Sequence, residues 1–138
     1  MAIDSDSSNW PLVFIRFEGS QTVEEVDAHF DRTAVIHARK QPWVSVAFMN
    51  GYGRDPRVLR RVAYWMKQRA EPTRKYCVAT AMIAPSAGFR FVLGAVLLIQ
   101  PISCPYVVCG TLDEALSFVR KKAAERALRL PSELPSWL

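Results

Sequence analysis

The chain is predicted to fold as an α/β domain around a small, mostly parallel sheet. Three observations predict it. Apolar, β-prone runs alternate with amphipathic stretches four times along the 138 residues, and such alternation sets helices against a mainly parallel sheet. The runs 43–49 and 76–83 are almost wholly apolar, as expected of strands covered on both faces. The stretches between strands begin with capping residues, Thr22, Asp55 and Thr111 among them.

Each element follows from local chemistry. Residues 1–9 are polar and rich in Ser and Asp, which fits a flexible end or an edge strand. After Pro11, Leu12–Glu18 is rich in β-branched and aromatic residues and reads as the first core strand. Thr22 with Glu25 forms a capping box that opens a helix over 23–40. Basic residues close it and Pro42 stops it. Residues 43–49 form the central strand, and Asn50-Gly51-Tyr52-Gly53 is a turn or loop. Asp55-Pro56 starts a second helix over 56–70. Val58, Leu59, Val62, Trp65 and Met66 are its inward stripe, and Pro72 closes it.

Strand 76–83 follows, then a helix over 87–99 that Pro101 ends, then strand 106–109. Thr111 with Glu114 is read as a second capping box, opening the last helix. The expectation is four to five strands, mixed if the N-terminus pairs, with about four helices. Residues 1–10 are the flexible or edge-strand end, 11–128 the single domain, and 129–138 an irregular tail.

Composition narrows the function classes. Half of the residues are hydrophobic, enough to bury a core and to argue against disorder. The net charge of +5 is a mild basic excess, well short of a nucleic-acid-binding tail. The first residues lack the basic and apolar pattern of a secretory signal. The longest uncharged apolar stretch, 91–99, is far shorter than the roughly 20 residues that cross a bilayer. A cytoplasmic protein without a transmembrane segment is expected. Cys77, Cys104 and Cys109 read as free structural thiols, and no Cys or His spacing suits zinc.

Several passages together resemble the STAS superfamily of sulfate-transporter and anti-sigma-factor-antagonist domains, especially its SpoIIAA-like bacterial proteins. The first strand ends in Glu18-Gly19, before a Thr-capped acidic helix. The buried strand 44–49 leads through a short loop into helix 55–70. Strand 76–83 is followed by an apolar helix and a short strand ending at Cys109. Thr111-Leu112-Asp113-Glu114-Ala115-Leu116 is similar to that family's entry to its last helix. The likeness covers residues 11–127. It implies a sheet with helices chiefly on one face, and a non-catalytic protein–protein interaction or regulatory role. The family's antagonists carry a phosphorylated Ser or Thr where the central loop meets the next helix. Residues 50–56 contain neither, so no phosphorylation switch is expected there.

No catalytic constellation is evident. There is no nucleophile elbow, dinucleotide fingerprint or Walker motif. His29 and His37 are eight residues apart on one helix, off the spacing of a helical metal pair. No cofactor is expected.

Three surfaces are candidates for binding. Asn50, Gly51, Tyr52, Gly53 and Arg54 follow a strand and precede a helix, where open α/β sheets bind ligands. Arg57, Arg60, Arg61 and Lys67 make the second helix basic, either a solvated face or a surface for an acidic partner or anionic lipid. Nucleic acid is disfavoured, because few aromatics alternate with these charges. The helix 87–99 is apolar on nearly all sides, with Arg90 its sole charge. Phe89, Leu93, Leu97 and Leu98 are its interface candidates. Their cover is another protein, a second copy of the chain, a lipid, or the chain itself through neighbouring helices and the Trp137-Leu138 tail. The competing reading is a carrier or sensor of a hydrophobic small molecule or lipid held between this helix and the sheet. An enzyme with an unrecognised site ranks last.

Overall fold

In a computed structural model that describes residues 3–51 and 55–138, ten elements follow one another. They are β1 (Ile3–Asn9), β2 (Leu12–Glu18), α1 (Val23–Ala38), β3 (Trp43–Asn50), α2 (Pro56–Gln68), α3 (Ala70–Tyr76), β4 (Cys77–Ile83), α4 (Ala87–Ile99), β5 (Tyr106–Cys109) and α5 (Leu112–Glu125). The five strands lie side by side in chain order. β1 runs antiparallel to β2, and β2 to β5 are parallel. The sheet is therefore mixed, and the polar N-terminus is its edge strand.

Period-two alternation sorts side chains to two faces. Leu12, Phe14, Val44, Val46 and Ala81 point to one, where Ala115, Leu116, Val119 and Ala123 of α5 cover them. Val13, Ile15, Ala47 and Met82 point to the other, beneath Val26 and Ile36 of α1, Val58 of α2 and Leu97 of α4. Each fully buried aliphatic side chain stabilises the fold by about 1.5–3 kcal/mol. Trp43 pairs with Cys77 but Val44 pairs with Ala79, so β4 carries one extra residue. That bulge turns both Val78 and Ala79 to the α5 face.

The helix starts are built as expected, with one variation. Thr22 and Glu25 exchange both bonds of the capping box at 3.1 Å. Thr111 accepts from the Glu114 backbone at 3.2 Å, but its own hydroxyl, not its backbone N–H, donates to the Glu114 carboxylate.

Two expectations are corrected. Pro72 does not close the second helix in favour of a loop. The chain turns at Arg69 and re-enters a short helix, α3, with Pro72 in its first turn. Proline is tolerated there because first-turn N–H groups have no intrahelical acceptor, so the described residues form five helices. The Trp137-Leu138 tail does not cover the apolar helix. Trp137 packs edge-on to Phe14 at 5.7 Å and to Phe48 at 5.8 Å, on the α5 face. Its indole N–H donates to Asp6 at 2.8 Å, and the Arg16 guanidinium lies 4.5 Å above its ring.

Candidate functional site

A cavity of about 420 Å³ lies between the sheet and helices α1, α2 and α4. Its floor is Ile15, Ala47, Thr80 and Met82. Val26, His29 and Phe30 of α1 line one wall, and Val62 and Met66 of α2 another. Phe89, Leu93, Val96 and Leu97 of α4 complete it. Small residues make the room: Ala47 lies on the floor, and Ala63 lies on α2 where a larger side chain would intrude. Leu59, Val92 and Val96 line the cavity and are also exposed to solvent. Its mouth therefore lies between α2 and α4.

The walls are held by a few polar ties. Asp27 on α1 accepts two bonds from Arg61, at 2.6 and 3.2 Å, and one from the Trp65 indole at 2.7 Å. These bonds hold its carboxyl below the ordinary carboxylate range and fasten α2 to α1. Phe30 and Trp65 stack with centroids 5.8 Å apart. α4 is fastened at both ends. Arg90 donates to the Ala84 and Pro85 carbonyls at 2.8 and 2.9 Å, and Tyr106 donates to the Leu97 carbonyl at 3.4 Å. In the floor, Ser45 and Thr80 satisfy each other through their hydroxyls.

The histidine and the thiols of this half of the molecule are kept neutral. His29 sits between the Phe17 and Phe30 rings at 5.5 and 5.2 Å. Burial, aided by the Arg32 charge, lowers its pKa to about 4. Its Nδ1 is buried without a partner among the described residues. The Cys77 and Cys104 sulfurs lie 3.4 Å apart, both buried and free. The Cys104 contact and burial raise the Cys77 thiol well above its usual range. A reactive thiolate is disfavoured there. Among the described residues, no group of three or more His, Cys, Asp or Glu side chains could hold a metal ion.

The sequence candidates fall into different places. Tyr52, Gly53 and Arg54 lie outside the described residues. Asn50 donates to Glu18 at 3.2 Å, and Gly51, at φ +114°, packs its backbone against Gly19. The start of that loop thus joins two strand ends. The basic set divides. Arg57 is paired with Asp55 and Arg61 with Asp27, while Arg60 and Lys67 are exposed. The apolar helix also divides. Leu97, 5% exposed, is a core residue and no surface candidate. Phe89 and Leu93 are half-buried in the cavity wall, and Leu98 is 84% exposed. Phe91 and Ile99, not singled out from sequence, share its outward position at 81% and 87% exposure.

Comparison with known proteins agrees with this architecture. No family model and no curated protein matches the chain. A solved structure does: a crystal structure of an uncharacterized protein of the DUF3478 family, with a SpoIIAA-like fold, from Shewanella loihica PV-4. The match covers 85% of this chain and 91% of that one, at a TM-score of 0.57 and 13% identity. The fold is SpoIIAA-like. At that identity the likeness is one of fold alone, and function must be argued from the site. No helix among the described residues is long and apolar enough to cross a membrane.

Proposed function

We propose that this SpoIIAA-like chain is a non-catalytic binding module whose ligand is a hydrophobic small molecule. The cavity under α1, α2 and α4 carries this reading. At about 420 Å³ it falls within the roughly 300–1,000 Å³ of small-molecule sites. Its lining is mostly apolar, and a ligand that covers these walls gains by removing apolar surface from water. Reading the module as regulatory, as the STAS resemblance implies, makes the bound molecule its input.

Native mass spectrometry beside a denatured sample tests the reading. The expected result is a small adduct that disappears on denaturation. Ala63→Trp, which fills the cavity from α2, should weaken binding of an apolar fluorophore at least tenfold while the fold is retained. Equal fluorophore binding by Ala63→Trp and the unmodified chain would rule the cavity out.

A second reading is a protein–protein interface on the outer face of α4. Phe91, Leu98 and Ile99 support it, since large exposed apolar residues clustered on one helix mark contact surfaces. Leu98→Glu should leave unfolding free energy within about 0.5 kcal/mol of the parent, as for most surface substitutions. It should also lower any self-association seen by analytical ultracentrifugation. A Leu98→Glu variant that associates as the parent does would remove Leu98 from that interface.

A further inference from the structure

The cavity is polar at one end only. The C-terminus of α2, the short helix α3 and the segment after α4 all lie where β4 and β5 begin. They bring Arg69, Thr73, Gln100 and Ser103 to the lining there. At the other end, where α2 and α4 start, the lining is Val58, Leu59 and Phe89. The polar residue of that end, Gln21, is already spent on the Gly19 carbonyl at 2.6 Å.

Arg69 is the one lining residue that carries a full charge among those described, since His29 titrates far below neutrality. No carboxylate lines the cavity among the described residues. The Arg69 backbone N–H closes α2 on the Trp65 carbonyl at 2.8 Å, which fixes its base at the α2–α3 junction. Its guanidinium carbon lies 5.2 Å from the Trp65 ring centroid. A guanidinium held over an aromatic ring in this way keeps N–H donors for an anion. Its Nε is buried without a partner among the described residues and so is closed off from the cavity. The groups left for a ligand are the Nη1 and Nη2 N–H donors at the guanidinium tip.

We propose that the ligand is a single-chain amphiphile with an anionic head, of the fatty-acid class, its carboxylate on Arg69 and its tail running beneath α4 toward Phe89. The proposal rests on the hydrophobic-ligand reading above. A carboxylate would take the Nη1 and Nη2 groups at the guanidinium tip in paired charge-assisted bonds. Thr73, Gln100 and Ser103 line the same end and offer hydroxyl and amide donors for its outer lone pairs. Phe89 to Gln100 spans roughly 16 Å along a helix, which suits a medium-length tail. Each methylene buried should tighten binding about threefold to fourfold.

The test compares dodecanoate with dodecan-1-ol by displacement of an apolar fluorophore, using the full chain freed of co-purifying lipid. Dodecanoate is expected to bind about tenfold to hundredfold tighter, the size of a charge-assisted hydrogen-bond contribution. Arg69→Met should bring that ratio to about one without weakening the alcohol, and Arg69→Lys should keep part of it. Equal binding of acid and alcohol by the unmodified chain would overturn the anionic-head assignment and leave the hydrophobic cavity standing. Binding of neither would overturn both. The ratio in the unmodified chain tests the anionic head even if Arg69→Met fails to fold, and Arg69→Lys then tests the residue, since an unchanged ratio there would move the head off Arg69.

Discussion

Phe14→Ala is expected to lower the free energy of unfolding by about 3–5 kcal/mol, as large-to-small changes at buried aromatics do. Phe14 is 1% exposed in the middle of β2. It stacks near Phe48 at 6.3 Å and supports the Trp137 ring from below. Truncation therefore opens a void that the rigid sheet cannot close, and removes the platform on which the tail rests. Urea unfolding at neutral pH measures the loss. A double-mutant cycle with Trp137→Ala should show coupling of about 0.5–1.5 kcal/mol, typical of aromatic pairs. A loss below about 1 kcal/mol for Phe14→Ala would mean that the tail and strand relax together, and that the packing at this face is looser than the distances imply.

The second large effect is a loss of stability in mild acid, traced to one imidazole. His29 is buried and neutral in the folded chain, with its pKa depressed to about 4. In the unfolded chain it titrates near the ordinary 6.5. The folded state therefore binds fewer protons than the unfolded state between those values, and stability falls as pH drops. Its contribution is fully present above about pH 6.5 and is lost progressively down to about pH 4, where both states are protonated. The integrated loss is about 3 kcal/mol. His29→Gln removes the titration. Between pH 7 and pH 4 the parent should lose about 3 kcal/mol more than this variant. Parallel stability–pH curves for the two proteins would show that His29 is hydrated or paired when folded.

The fold was legible because its signals are local. Thr22 with Glu25, Asp55 with Pro56, and the unbroken apolar runs of β3 and β4 each report on a few neighbouring residues. α3 was hidden because Pro72 is compatible both with a helix end and with a first helical turn, and only the backbone at Arg69 distinguishes them. The candidate site was legible only in outline. An all-round apolar α4 pointed to a second thing to be covered, a ligand held between it and the sheet among the readings, but not to the volume of the void or to the α1 and α2 residues that wall it. Cavity volume depends on the spacing of four elements far apart in sequence, and no window of residues encodes it. Nothing in the sequence separates Arg69, just past α2, from the other basic residues of that helix. Its separation from Arg57 and Arg61 rests on who pairs with whom: those two have carboxylate partners, and the Arg69 Nε has none among the described residues. The Trp137 contact was beyond reach for the same reason, since it joins residues 131 apart.

The two borders of the sheet bear on how copies of this chain can meet. An open strand border is a template for pairing with another chain, the route to domain swapping and fibrils. β1 presents Asp4, Asp6 and three serines along seven residues, and Trp137 leans over it through Asp6. β5 offers four residues, closed off by Pro105 on one side and Gly110 on the other. Charge blunts one border and brevity the other. Growth by strand addition is thereby discouraged at both ends of the sheet, and encounters between copies are left to the helical faces.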